Sequence, residues 1–164
     1  MKLVKVSDLF DVIYGSNLEL NALEIDPDGV NFVSRTALNN GVSAKVKLVD
    51  GEEPIEAGVL TVAGGGSVAE TFLQPEPFYS GRDLFYLRPK VPMSVEQKLF
   101  FCMCIRANKF RFNYGRQANK TLRALLIPDI TEVPDWTKDE FHGVLSKWTA
   151  RLKSLNPPTQ QKGH

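Results

Sequence analysis

Between Val30 and Pro92, every stretch that favours a buried element is cut short by a glycine, proline or asparagine turn. A helix of ordinary length does not fit between such breaks, so the middle of the chain is confined to short strands joined by tight turns. Val30-Asn31-Phe32-Val33-Ser34 alternates apolar and polar residues, and the chain then turns at Asn39-Asn40-Gly41, where Asn-Gly favours a tight reversal. Ala44 to Val49 interleaves lysine with valine and leucine, the pattern of a half-exposed strand. Val59 to Ala63 reads as a buried strand that runs into Gly64-Gly65-Gly66-Ser67, Val68 to Leu73 as a second before Pro75 and Pro77, and Leu84 to Leu87 as a third before Pro89 and Pro92. Residues 3–14 suit a short strand and a short helix equally, and end in the turn Gly15-Ser16-Asn17.

Helical character begins at Ser94, which with Gln97 forms a capping box, and continues through the apolar run from Leu99 to Ile105. After Asn108 the period changes: Phe110, Phe112 and Tyr114 alternate with Lys109, Arg111 and Asn113, which predicts a strand with aromatics on one face and cations on the other. A last helix is predicted from Thr137, capped with Glu140, to Leu155, roughly 28 Å long at the helical rise. Along it Phe141, Leu145, Trp148, Leu152 and Leu155 recur at heptad spacing, a seam too short to stand alone and therefore expected to dock on its own domain or on a partner.

A chain of 164 residues with 43% apolar and 24% charged residues fits one domain that buries roughly 70% of its unfolded surface. No apolar run is long enough to span a bilayer, and acids at Asp8 and Asp11 interrupt the N-terminus before a secretory pattern develops. The expectation is a soluble, cytoplasmic protein. Cys102 and Cys104, two apart in a helical run, suit neither a disulfide nor a shared metal and are read as packed thiols.

The net charge of +1 hides an asymmetry. Asp8 to Asp28 contains acids and no base, whereas Gln97 to Pro128 contains Lys98, Arg106, Lys109, Arg111, Arg116, Lys120 and Arg123 and no acid. A single-signed run of this kind, interleaved with aromatics and amides, offers cations for phosphates and amides for base edges. A solvated charged face is the plainer alternative.

Catalytic motifs are sparse. Gly64, Gly66 and Ala69 have the spacing of a dinucleotide fingerprint, but Pro75 and the β-favouring Val68, Thr71 and Phe72 leave no room for the helix it needs, so the glycines are read as a turn allowing close backbone approach. The histidines are His142 and His164, which disfavours a serine or cysteine hydrolase. No metal site is expected. Two rival readings stay open: a protein-interaction module without DNA binding, and a small nucleotide-binding protein built on Gly64 to Ser67.

Four ordered blocks narrow the choice: Leu9 to Gly15; Asn31 to Thr36 with Asn39-Asn40-Gly41-Val42; Gly58 to Ser67; and Phe112-Asn113-Tyr114-Gly115-Arg116-Gln117. Together, over about residues 3–130, they resemble the specificity subunits of type I restriction–modification systems and the related type II enzymes with bipartite sites. The resemblance implies an α/β domain of the α+β type, with a twisted, largely antiparallel sheet region and packed helices, that reads roughly half of a split duplex site. It implies no catalysis in this chain: a methyltransferase and an endonuclease would be its partners, and S-adenosylmethionine, ATP and Mg would belong to those subunits. The residues expected at the DNA are Arg35, Thr36, Asn39, Asn40, Gly65, Ser67, Lys109, Arg111, Tyr114, Arg116, Gln117, Asn119 and Lys120, with the acidic N-terminal segment facing away. The organisation implied is a recognition domain over residues 1–133, a spacer or dimerisation helix over 134–155 and a disordered tail over 156–164. The chain departs from the family in having one recognition domain and a short helix, as expected of a half-subunit that dimerises or of a fragment.

Overall fold

A computed structural model describes the backbone of residues 1–112 and 118–155, and the side chains of these except at 118, 119, 138–141 and 152–155. The strands are β1 (Leu3–Lys5), β2 (Phe10–Tyr14), β3 (Ile25–Val33), β4 (Val42–Val46), β5 (Leu60–Ala63), β6 (Thr71–Leu73), β7 (Phe78–Ser80), β8 (Leu84–Pro89) and β9 (Leu126–Pro128). The helices are α1 (Val6–Leu9), α2 (Val95–Ala107), α3 (Ala118–Ala124) and α4 (Trp136–Leu155). Four strands form an antiparallel sheet in the order β2-β8-β5-β6, three form a second in the order β4-β3-β7, and β1 pairs with β9. Only β3 and β7 run parallel among the described pairs, so the largely antiparallel α+β architecture that the family resemblance implied is the one observed.

Residues 3–14 adopt both of the conformations that fitted their sequence. Val6 and Leu9, three apart, turn inward on the single turn of α1, after which Phe10 and Val12 alternate inward along β2 with Asp11 outside. The Asp8 carboxylate accepts from the Lys5 N–H at 2.8 Å and closes the start of that turn.

The main core lies between the four-stranded sheet and α2. Phe101, Cys102 and Ile105 of α2 face Phe10, Val12, Leu60, Val62 and Leu87, and Phe10 meets Phe101 edge to face with centroids 5.6 Å apart. The box at its start is formed as read: Ser94 Oγ accepts from the Gln97 N–H at 3.2 Å, and Gln97 Oε1 accepts from the Ser94 N–H at 2.9 Å. Burial pushes the Cys102 thiol up to about 12 and the Cys104 thiol up to about 11, so little nucleophilic thiolate exists at neutral pH. A thiol-specific reagent at pH 8 should therefore label the denatured chain far faster than the native one, and equal rates would contradict this packing.

A smaller core sits in the three-stranded sheet around Phe32, Val46 and Tyr79. The Tyr79 hydroxyl, on an otherwise buried ring, donates to the Glu52 carbonyl at 2.9 Å and accepts from the Val49 N–H at 3.1 Å.

Four expectations are corrected. Lys109 to Arg111 is not a strand but a 3-10 turn continuing from α2, with the Arg111 N–H donating to the Asn108 carbonyl and the Phe112 N–H to that of Lys109. Local bonds at the helix end take up these amides, so the period-two pattern never meets a partner strand; the rest of that predicted strand, Asn113 and Tyr114, lies outside the described residues. The strand expected from Val68 is only Thr71–Leu73, because the Ala69 N–H turns back to the Ala63 carbonyl at 2.8 Å. β3 starts at Ile25 rather than Val30: Ile25 and Val30 both oppose Val46, and the intervening residues bulge out, which hides the alternation. Finally, Thr137 does not cap α4 but lies inside its first turn and donates its hydroxyl to the Pro134 carbonyl at 2.7 Å. The Glu140 side chain and the tail from Asn156 lie outside the described residues.

Among the described residues no helix is long and apolar enough to cross a membrane, and no cluster of His, Cys, Asp and Glu has the makings of a metal site.

Candidate nucleic-acid interface

Three segments meet around β6, the edge strand of the larger sheet. The first follows β3. Asn39, Asn40 and Gly41 take consecutive left-handed conformations, with φ of 48°, 54° and 80°, which asparagine and glycine tolerate better than other residues. The amide of Asn39 donates to the Val42 carbonyl at 2.9 Å, and that of Asn40 to the Leu73 carbonyl at 2.9 Å. Gln74, almost fully buried, donates in return to the Asn40 carbonyl and to Thr61 Oγ1, both at 3.0 Å. The expected tight turn is present, and both asparagine amides serve it by tying the loop to its own backbone and to β6. The Thr36 hydroxyl accepts from the Leu38 N–H at 3.2 Å and is occupied in the same loop.

The second segment is the glycine run. A Cβ on Gly65 would lie 2.8 Å from Arg35 Nη1, and the Ser67 N–H donates to the Arg35 carbonyl at 3.4 Å. The glycines thus give close approach to Arg35, as the turn reading held, and the run leads into β6 rather than into a helix that a bound nucleotide phosphate would need. Arg35 Nη1 is bonded to the Asp83 carboxylate at 2.8 Å, while the Asp83 N–H donates to the Tyr14 hydroxyl at 2.8 Å.

The third segment is the end of α2 and the turn behind it. Arg106 lies over the Phe72 ring, 5.0 Å from its centroid, and its Nε donates to Glu70 at 3.0 Å. Lys109 reaches the other oxygen of Glu70 at 3.4 Å, and Arg111 stacks on the exposed Phe110 at 5.4 Å. Phe72 therefore joins the first and third segments, since a Cβ on Gly41 would stand 3.4 Å from its ring.

Of the residues expected from sequence, the structure brings together Arg35, Thr36, Asn39, Asn40, Gly65, Ser67 and Lys109, while Arg111 stacks on its neighbour Phe110 in the turn after α2. Lys120 is exposed on α3, which packs against α1 and β2 at the opposite edge of the sheet, so it does not belong to this group. Arg123 of the same basic run is exposed but engaged at the same far edge, donating to the Val12 carbonyl of β2 at 2.6 Å. Tyr114, Arg116 and Gln117 lie outside the described residues, as does the side chain of Asn119. Sequence reading missed Glu70, Asp83 and Gln74 as members of the site. Nothing local marks them, since each acts through a partner more than 30 residues away. With Arg35, Arg106 and Lys109 against Glu70 and Asp83, the surface stays net positive.

On α4, Leu145 is 53% and Trp148 60% exposed. The described part of the heptad seam is not covered by its own domain; the side chains of Phe141, Leu152 and Leu155 lie outside the described residues.

A family model described as the type I restriction modification DNA specificity domain matches residues 1–128. The type II restriction enzyme BgcI specificity subunit S.BcgI of Heyndrickxia coagulans is 30% identical over 163 residues, a match that covers 96% of this chain and 46% of that protein. The HsdS subunit from Thermoanaerobacter tengcongensis has a similar fold, with a TM-score of 0.63 at 15% identity over 96% of this chain and 40% of that one. The S subunit of a type I restriction–modification system from M. genitalium gives a TM-score of 0.60 at 13% identity, covering 94% of this chain and 42% of its own. The chain spans less than half the length of each of these proteins.

Proposed function

The chain belongs to the type I restriction modification DNA specificity domain family, and from that membership we propose that it binds a short duplex DNA sequence and directs a methyltransferase and an endonuclease to it. The reading rests on one observation, the gathering of Arg35, Arg106 and Lys109 beside the glycine turn at the β6 edge. Cations spaced over several turns of a rigid scaffold suit a polyanion whose charges are themselves evenly spaced. Catalysis is assigned to the partners: methyl transfer from S-adenosylmethionine and ATP- and Mg-dependent cleavage belong to their subunits, and the complex works in the cytoplasm. The open face around Leu145 and Trp148 is the surface proposed to receive a second recognition unit or a copy of this chain.

The test is fluorescence anisotropy of a labelled random-sequence duplex titrated with the protein between 50 and 200 mM salt. Affinity should fall with a log–log slope of about −0.9 per phosphate neutralised. Repeated selection of bound duplexes from a random pool should then recover a common sequence. A slope near zero, or a pool that stays random, would remove this reading.

A further inference from the structure

Arg35, Arg106 and Lys109, the cations beside the glycine turn, are each held by a carboxylate of the same surface. Arg35 is bonded to Asp83 at 2.8 Å. Arg106 and Lys109 share the two oxygens of Glu70 at 2.9 and 3.4 Å. The Arg35–Asp83 pair is well exposed on both sides, 38% and 54%, and such pairs add little to folding. Glu70 is 15% exposed and hydrogen-bonded to both of its partners, so its charge does not swing aside when another anion approaches.

We propose that Asp83 and Glu70 are specificity-determining residues, occupying the place of a DNA phosphate on Arg35 and Lys109 and so suppressing sequence-independent binding. This rests on the duplex-binding reading and adds to it a reason for acids in a DNA surface. A phosphate brought to Lys109 or Arg35 meets a carboxylate already there, and binding gains less from counterion release because the cation is already neutralised. A base edge is treated differently. Guanine O6 and N7 are neutral acceptors, and a guanidinium with Nη1 on Asp83 still has a further nitrogen to present to them without breaking the pair. The carboxylates therefore penalise the contact that every sequence offers more than the contact that one sequence offers, which is discrimination by repulsion.

The experiment compares Asp83→Asn and Glu70→Gln with the unaltered chain in the same anisotropy titration with random duplex. Asn at 83 accepts the left-handed backbone there, φ 51°, and unchanged thermal midpoints would establish that both variants fold. Asp28→Asn, which changes net charge equally at the other end of β3, is the control. Both interface variants should bind random duplex more tightly at 50 mM salt, and each cation freed for a phosphate should deepen the affinity drop between 50 and 200 mM by roughly 3.5-fold. The preference for a selected duplex over a random one should shrink by the same gain, with Asp28→Asn unchanged. Unaltered affinity and slope in both variants would overturn the proposal and leave duplex binding standing. Equal gains at all three positions would reduce the effect to net charge and overturn it as well. A flat salt dependence of the unaltered chain would instead remove the duplex reading, and this one with it.

Discussion

Phe101→Ala should destabilise the protein by about 3–5 kcal/mol, the range for truncating a fully buried aromatic. Phe101 has no exposed surface, meets Phe10 edge to face at 5.6 Å and Phe100 at 5.7 Å, and lies where α2 crosses the larger sheet. Its loss leaves a void lined by Phe10 and the strands beneath, whose side chains are fixed by a backbone that cannot close in. Set against a typical stability of about 5–15 kcal/mol, this is enough to leave a large part of the chain near its unfolding threshold. Val95→Ala, on an exposed position of the same helix, should change stability by less than about 0.5 kcal/mol. Urea unfolding followed by circular dichroism separates the two. Equal midpoints for both variants would mean that α2 is not the element that seals the core. The consequence reaches the interface, because α2 ends in Arg106 and the turn that carries Lys109 and Arg111.

The elements that could be read in advance are those whose signal is local. Ser94 and Gln97 carry their own cap, Asn39-Asn40-Gly41 carries its own left-handed turn, and Leu60 to Ala63 is a strand because every residue in it is buried. The order of four sequence blocks carried the family, since ordered blocks constrain a fold more than any one of them. What could not be read depends on partners distant in the chain. Lys109, Phe110 and Arg111 have the alternation of a strand, yet α2 delivers them with no strand alongside, and the helix end takes their amides. The bulge after Ile25 is equally silent: only the presence of Val46 opposite both Ile25 and Val30 reveals that the strand is one element.

The candidate site divides in the same way. Cations are visible as a run, but the run is split by the fold: Arg106 and Lys109 reach the β6 edge, Lys120 lies on α3 by β2, and Arg123 serves the backbone of β2. The amides of Asn39 and Asn40, residues expected at the DNA, hold the loop, which their positive φ explains, because a side-chain bond stabilises a conformation the backbone resists. The glycine run was legible as a close-approach turn but not as a seat for Arg35, whose packing depends on contact between positions 35 and 65.

Replacing Arg35, Lys109 and Arg111 together by alanine should have the largest effect on binding. Three full phosphate contacts would flatten the log–log salt slope by about 2.7; because Asp83 and Glu70 already occupy Arg35 and Lys109, the slope should flatten by between about 0.9 and about 2.7, and the drop in affinity between 50 and 200 mM salt should shrink by roughly 3.5- to 40-fold. The loss at 50 mM should exceed what three absent contacts predict, because Asp83 would remain at the surface without Arg35 and would repel the backbone directly, while Glu70 keeps Arg106 alone of its two partners. None of the three side chains lies in the core, so the variant should fold with a midpoint close to that of the unaltered chain. Lys120→Ala on α3 should behave differently, changing the slope by less than any one of the three, because it stands at the far edge of the sheet. Were Lys120 to matter as much as Lys109, the contacting surface would have to run across the β2 edge and α3 rather than over the glycine turn. If the triple variant kept both affinity and slope, DNA would be held by some other surface of this fold.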